Sequence, residues 1–318
     1  MKMLDTDIST VIDDPVYFYK YGFSDLIQPN EKDEPHPARK VEQNRWRIFC
    51  CQSIVDQLVE RVLFQPVLEQ IKRNYPHSGA VIGIGFSDDL VTQLCNYIKS
   101  VVNIKRLKGS DVASFEASLG RDWLKNSAEM SISKMSNRSK CSNVINAMRI
   151  HVLKITNPLY VVPFGTSYQL WRRLQPGGML SGSFLTTLYN SLCRLDIAYE
   201  AGAINAFAVG DDCLEETTYK LEELRDIYSK LGFKLRELTD VKNFVIEFCS
   251  HEFYHVGNEQ WKARLSSWPK ALYNILSKNI SMEQYQGFIH ETRNNANQDK
   301  MLKTIDDYGT FNKSPNAI

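Results

Sequence analysis

Gly210-Asp211-Asp212 sets two carboxylates side by side at a tight turn. Adjacent acids repel, and a divalent cation held between hard oxygen ligands compensates that repulsion. The apolar run Ala206-Phe207-Ala208-Val209 just before it reads as a buried strand, and Gly210 permits the sharp reversal that presents both acids at the tip. Far upstream, Val101-Val102-Asn103-Ile104 leads into the segment Asp111 to Leu119, which reads as a strand ending in one acid with a second, Glu116, one turn later. Two Mg²⁺ ions about 3.5–4 Å apart, clamping the attacking and leaving oxygens of a phosphoryl transfer, need carboxylates from separate segments. Asp111, Asp211 and Asp212 are the candidate metal ligands. Alone, a Gly-Asp-Asp triplet is equally a solvated hairpin turn, and the distant acid gives it weight.

Between the acidic segments, Gly177 to Asn190 is a Gly/Ser loop running into an apolar helix, with Thr186 and Asn190 four residues apart on one helical face. Near the start, Lys32, Arg39, Lys40, Arg45 and Arg47 gather guanidinium forks and ammonium groups of the kind that a triphosphate and its leaving pyrophosphate require. Taken alone, such a cluster is equally a solvated basic face. The chain carries 38 basic and 37 acidic side chains, so any nucleic-acid surface must be a local channel.

In these segments the chain resembles the RNA-dependent RNA polymerases of positive-strand RNA viruses, closest to the sobemovirus and polerovirus group and more distantly the picornavirus enzymes. Asp111 to Glu116 stands where the family's motif A lies. Ser181-Gly182 through Thr186 to Asn190 matches motif B without a gap, and Gly210-Asp211-Asp212 matches motif C. Lys32-Asp33-Glu34-Pro35-His36 with Arg39, Lys40, Arg45 and Arg47 resembles motif F, the basic segment over the nucleotide, followed by Ser53 to Phe64 as in the plant-virus group. The resemblance implies catalysis by Asp111, Asp211 and Asp212 with two Mg²⁺ ions, Mn²⁺ being a substitute. It implies triphosphate binding by Lys32, Lys40, Arg45 and Arg47. Ribose and template sensing fall to Glu116, Ser181, Gly182, Thr186 and Asn190. The family's second motif A acid is usually Asp, and Glu116 keeps the charge while adding a methylene to the ribose contact.

Downstream, Leu221, Leu224, Ile227, Tyr228 and Leu231 form a helical stripe within Thr217 to Leu231 that stops at Gly232, resembling the helix of motif D. The resemblance then points to Lys242 as the general acid for pyrophosphate, with Lys234 competing. Phe244 to His251 resembles the motif E strand. It runs into His251-Glu252-Phe253-Tyr254-His255, a literal H-E-x-x-H, which on a helix would gather two imidazoles around zinc as in a metalloprotease. The aromatic and β-branched flanks favour a strand instead. The seven cysteines are odd in number with no C-x-x-C pair, the pattern of free thiols in a reducing compartment.

The expected fold is α+β, a right-handed polymerase whose palm carries a small antiparallel sheet flanked by helices. The expected parts are fingers over 1–102 with motif F at 32–48, palm over 103–125, a Ser/Asn/Lys-rich fingers insertion over 126–174, palm again over 175–258 and a short thumb over 259–318. The function implied is template-directed RNA synthesis from NTPs for viral replication and transcription. Two alternatives are a non-catalytic RNA-binding remnant and, less favoured, the zinc protease. Implied partners are template and nascent RNA, NTPs and other viral replication proteins. The implied location is the host cytoplasm, with membrane-associated complexes reached through partners, since no apolar run is long enough to span a bilayer.

Overall fold

The computed structural model describes residues 2–34, 36, 38–137, 140–241 and 245–311. The chain divides into two compact units built from discontinuous segments: residues 2–32, 47–83 and 106–240 form the first, and 33–46, 84–105 and 241–311 the second.

The first unit is organised on a four-stranded antiparallel sheet in the order Asn205–Val209, Asp212–Glu216, Leu107–Val112, Leu235–Asp240. Leu107–Val112 is a central strand, paired on both sides, with nearly all its residues buried. The helix Thr186–Glu200 packs on this sheet, Arg121–Ser133 packs on that helix, and Ser142–Thr156 packs on Arg121–Ser133. Thr186–Glu200 buries an almost continuous run from Leu188 to Leu195, while Arg121–Ser133 and Ser142–Thr156 contribute Leu124, Ala128, Ile132, Ala147, Met148, Ile150, Val152 and Ile155. The Ser- and Asn-rich look of 126–146 therefore conceals two helix segments with core faces.

Two details differ from the sequence expectation. Val101 closes the helix Asp88–Val101 instead of opening a strand, and the strand that delivers Asp111 runs from Leu107 to Val112. A buried helical stripe of Val91, Leu94, Cys95 and Ile98 ends at Val101, and two adjacent β-branched valines do not override it. The motif D helix begins at Leu221, later than Thr217, because Glu223 accepts the Lys220 backbone N–H at 2.8 Å and fixes the first turn there. It ends before Gly232, whose φ is +89°, as expected.

In the second unit, Ile246–Phe248, His251–Gly257 and Gln260–Leu265 form a three-stranded antiparallel sheet. Trp261 is fastened to the helix Asp88–Val101: Thr92 Oγ1 accepts its backbone N–H at 3.0 Å, and its indole donates to Asn96 Oδ1 at 3.1 Å. The helices Trp268–Leu276, Met282–Thr292 and Gln298–Tyr308 follow, with Ile280, Phe288, Met301 and Ile305 as a separate small core. His251-Glu252-Phe253-Tyr254-His255 lies on a strand, as its flanks predict. Strand rise separates positions i and i+4 by roughly 13 Å, too far for one zinc ion. His251 stacks on Phe86 at 4.0 Å between ring centroids, His255 is exposed, and Glu252 takes the guanidinium of Arg264.

Candidate active site

Strand pairing and one positive-φ glycine build the acidic turn. Val209 pairs with Asp212, leaving Gly210 (φ +64°) and Asp211 at the tip, with Asp211 exposed and Asp212 half-buried. The helix Thr186–Glu200 holds this turn from behind. Ser191 Oγ accepts the Gly210 N–H at 2.9 Å, and Arg194 Nε donates to the Asp211 carbonyl at 3.2 Å. Arg194 is wholly buried, its guanidinium also donating to Tyr228 Oη at 2.7 Å and to Ser110 Oγ. Glu215, wholly buried too, accepts from Tyr228 Oη at 2.9 Å and lies 3.4 Å from Arg194 Nη2. A buried cation and a buried anion, each hydrogen-bonded several ways, thus tie the helix, the sheet and the motif D helix to the backbone of the turn.

Asp111 lies on the adjacent strand, one residue past Ser110, which pairs with Cys213. Its side chain is nearly buried. Oδ2 accepts from Arg236, an exposed residue on the next strand, while Oδ1 is buried without a hydrogen-bond partner. Burial first, and then the charge of Asp211, raise the Asp111 carboxyl above the ordinary range. The two acids are therefore close enough to repel, and one buried lone-pair face is unanswered.

Those observations fit a hard divalent cation. Among the described residues no three His, Cys, Asp or Glu side chains gather as a ready cage. Mg²⁺ tolerates this, because it keeps several waters and takes one or two carboxylates together with substrate phosphates.

Glu116 follows Asp111 by one turn, as expected, on the short helix Phe115–Ser118. Burial raises its carboxyl, opposed by the charges of Lys32 and Arg47 and by a hydrogen bond from Ser181, while Asp211 pushes it further up. Sequence-distant candidates are thereby gathered around one carboxylate. Lys32 and Arg47 are brought together by the antiparallel ribbon Gln28–Glu31 with Ile48–Cys51, at whose end the Lys32 N–H donates to the Arg47 carbonyl at 2.8 Å. The same ribbon meets the motif B loop, where the Cys50 N–H donates to the Ser181 carbonyl at 2.6 Å. Gly182 (φ +105°) must be glycine, since a Cβ there would stand 2.6 Å from the Cys50 carbonyl oxygen.

Thr186 Oγ1 donates to the carbonyls of Leu180 and Ser183, both at 2.8 Å, folding the loop onto the helix start. Asn190 is buried with Oδ1 unpartnered. Lys40 and Arg45 fall in the second unit, on and just after the short helix Ala38–Glu42. Lys234 is exposed, its carbonyl accepting the Ala113 N–H. Lys242 lies outside the described residues.

Residues 125–273 match the family model described as viral RNA-directed RNA-polymerase. The chain is 30% identical over 279 residues to the replicase polyprotein P2AB of Southern cowpea mosaic virus, covering 83% of this chain and 27% of that protein. It is 31% identical over 269 residues to protein P1-P2 of Turnip yellows virus, covering 79% of this chain and 24% of that protein. The chain belongs to the viral RNA-directed RNA polymerase family. It spans about a quarter of the length of the curated relatives it matches. The fold is that of solved viral polymerases: a sicinivirus 3Dpol RNA-dependent RNA polymerase superposes with a TM-score of 0.60 at 14% identity, covering 90% of this chain and 64% of that one. The RNA-dependent RNA polymerase of a human picobirnavirus gives 0.65 at 13%, covering 87% and 55%.

Within this polymerase fold, the side chains that sequence reasoning missed are those beneath the motifs: Ser191, Arg194, Glu215 and Tyr228 under the acidic turn, and Glu60 behind the motif B loop. One signal was available. Asp56 and Glu60 continue the buried helical row formed by Leu63, Val67 and Ile71, so two acids stand where a core stripe predicts apolar side chains.

Proposed function

We propose that this chain catalyses template-directed RNA synthesis, joining ribonucleoside monophosphates from NTPs to a nascent 3′-hydroxyl. The observation that carries the reading is the convergence of Asp111 and Asp211, mutually repelling acids with a buried orphan oxygen, beside Glu116, Lys32 and Arg47. In the reaction the 3′-oxygen forms a bond to the α-phosphorus, the bond to pyrophosphate breaks, the hydroxyl loses its proton and pyrophosphate gains one. Asp111, Asp211 and Asp212 would hold the divalent cations, Mg²⁺ by the chemistry of their donors, with Mn²⁺ as a substitute. Such ions, when bound, supply charge neutralisation at the attacking and leaving oxygens.

The remaining work belongs to this chain's own groups. Lys32 and Arg47, with Lys40 and Arg45, would bind the triphosphate and accept the charge that builds on the leaving group. Ser181 and Glu116, with Gly182, Thr186 and Asn190, would set ribose and template against the acids. Lys242 would donate the proton to pyrophosphate. The fingers, palm and thumb divisions given above carry these roles, in a replication complex of the host cytoplasm that other viral proteins complete.

Primer extension on a homopolymer template with Mg²⁺ or Mn²⁺ tests the proposal. The wild type should extend the primer, and Asp211→Asn should reduce incorporation by at least about 100-fold, since loss of even a neutral catalytic donor costs roughly that much. Template binding without extension by the wild type would leave the RNA-binding remnant as the better description.

A further inference from the structure

Glu60 is a glutamate with no exposed surface, near the middle of the helix Ile54–Arg73. Its carboxylate accepts four hydrogen bonds. Oε2 takes Ser183 Oγ and the Phe184 backbone N–H, both at 2.9 Å, and Oε1 takes Gln52 Nε2 and His151 Nε2, both at 3.2 Å. Against its burial, His151 by hydrogen bond and charge, Ser183 by hydrogen bond and the Lys154 charge hold the carboxyl below the ordinary range. Burial pushes the His151 imidazole down, and its Nδ1 is buried without a hydrogen-bond partner. The Lys154 ammonium is bonded to Asp56. Glu60 therefore places a carboxylate in the core whose direct hydrogen-bond partners are a hydroxyl, a side-chain amide, a backbone N–H and an imidazole.

Such a charge is a poor way to gain stability, because well-packed apolar residues of similar volume do as well or better. What the carboxylate supplies is direction. Ser183 Oγ, besides donating to Glu60, accepts the Leu185 N–H at 3.0 Å, so one side chain fixes the backbone from Ser183 to Leu185, the approach to the helix Thr186–Glu200. The negative charge also suits the backbone N–H groups at the start of that helix. On the other side of the same short loop stand Ser181 and Gly182, pressed against Cys50.

We propose that Glu60 is a positioning residue for the motif B segment. Its carboxylate sets where the loop enters its helix, and so where Ser181, Thr186 and Asn190 stand against the sugar of an incoming nucleotide. The inference rests on the polymerase reading for its consequence, while its structural half is independent of catalysis.

The test uses the full chain with Glu60→Gln, which keeps the volume and one carbonyl oxygen but removes the charge and turns two acceptor positions into a donor group. Hydrogen exchange without RNA should show the Phe184 and Leu185 amides exchanging about tenfold or more faster, with the strands 107–112 and 205–216 unchanged. In primer extension, KM for the ribonucleotide should rise and the preference for ribo- over deoxyribonucleotides should fall, each about three- to tenfold, with a smaller change in kcat. Ser183→Ala, which leaves the carboxylate three donors but takes the acceptor from the Leu185 N–H, should speed exchange chiefly at Leu185 and shift the kinetic quantities less, and serves if the first variant does not fold. Unchanged exchange at Phe184 in folded Glu60→Gln, or at Leu185 in folded Ser183→Ala, overturns the positioning role. So does a fall in kcat alone with KM and the sugar preference intact. Faster exchange in a protein whose wild type incorporates nothing would uphold the loop anchor and sink the polymerase reading instead.

Discussion

At the residue scale, Asp111 shows the conflict between stability and chemistry most plainly. Its folded carboxyl is raised by burial and by Asp211, so the ionised form is disfavoured in the folded state relative to the unfolded one. The linkage follows: at pH values above the raised value the group subtracts from stability, and protonation as pH falls through that value relieves the strain. Asp111→Asn should therefore raise the melting temperature of the metal-free protein at neutral pH by about 1–3 °C, while primer extension is lost. Mg²⁺ should raise the wild-type melting temperature more than that of the variant, and its effect should fade with acidification as protons compete for the same oxygen. Thermal scans across pH with and without Mg²⁺ read both effects. A variant less stable than wild type at neutral pH would contradict the repulsion between Asp111 and Asp211.

At the element scale, the hairpin bearing Asp211 is held by the helix Thr186–Glu200 through Ser191 and Arg194, and Arg194 is itself balanced by Glu215 and Tyr228. Arg194→Met removes one partner of a buried pair and leaves Glu215 uncompensated, which costs about 3–5 kcal/mol. Urea unfolding of the two proteins measures the loss; a change below about 1 kcal/mol would mean that the network is solvated and holds nothing. The strand His251–Gly257 makes a second claim at this scale. Because strand spacing keeps its two imidazoles apart, purified wild type and the His251→Ala, His255→Ala double variant should carry the same zinc content by elemental analysis. Zinc that disappears with the histidines would sink the strand assignment.

At the scale of the whole molecule, near neutrality constrains the RNA contact proposed above. With 38 basic and 37 acidic side chains, attraction to phosphate must come from local groups such as Lys32, Arg47, Lys40 and Arg45. Affinity for a single-stranded oligonucleotide should fall with salt, the logarithmic slope changing by roughly 0.7 for each neutralised phosphate, for a total of about −2 to −4. Filter binding over a salt series measures the slope, and Lys32→Ala with Arg47→Ala should make it shallower. An affinity independent of salt would exclude a charged channel. Within the described residues no helix is long and apolar enough to cross a membrane.

The sequence by itself carried the features that depend on neighbours along the chain. A glycine with positive φ between an apolar strand and two acids, a Gly/Ser loop followed by Thr186 and Asn190 one turn apart, and a helical stripe stopped by Gly232 are all local, and each stands in the fold as read. Local signals also misplaced the start of the Asp111 strand, where two valines at a helix end imitate a strand. What only the tertiary structure decided is how distant charges share one space. Glu116 meets Lys32, Arg47 and Asp211, and Asp111 keeps a buried oxygen without a partner. Arg194 and Glu215 look in sequence like surface residues of a helix and a strand, and Glu60 is marked only by its place in a core stripe. They are buried because packing encloses them, and hydrogen-bonding groups from other segments converge on each. Periodicity along one chain cannot report that convergence, since it is a property of segments that meet only after folding.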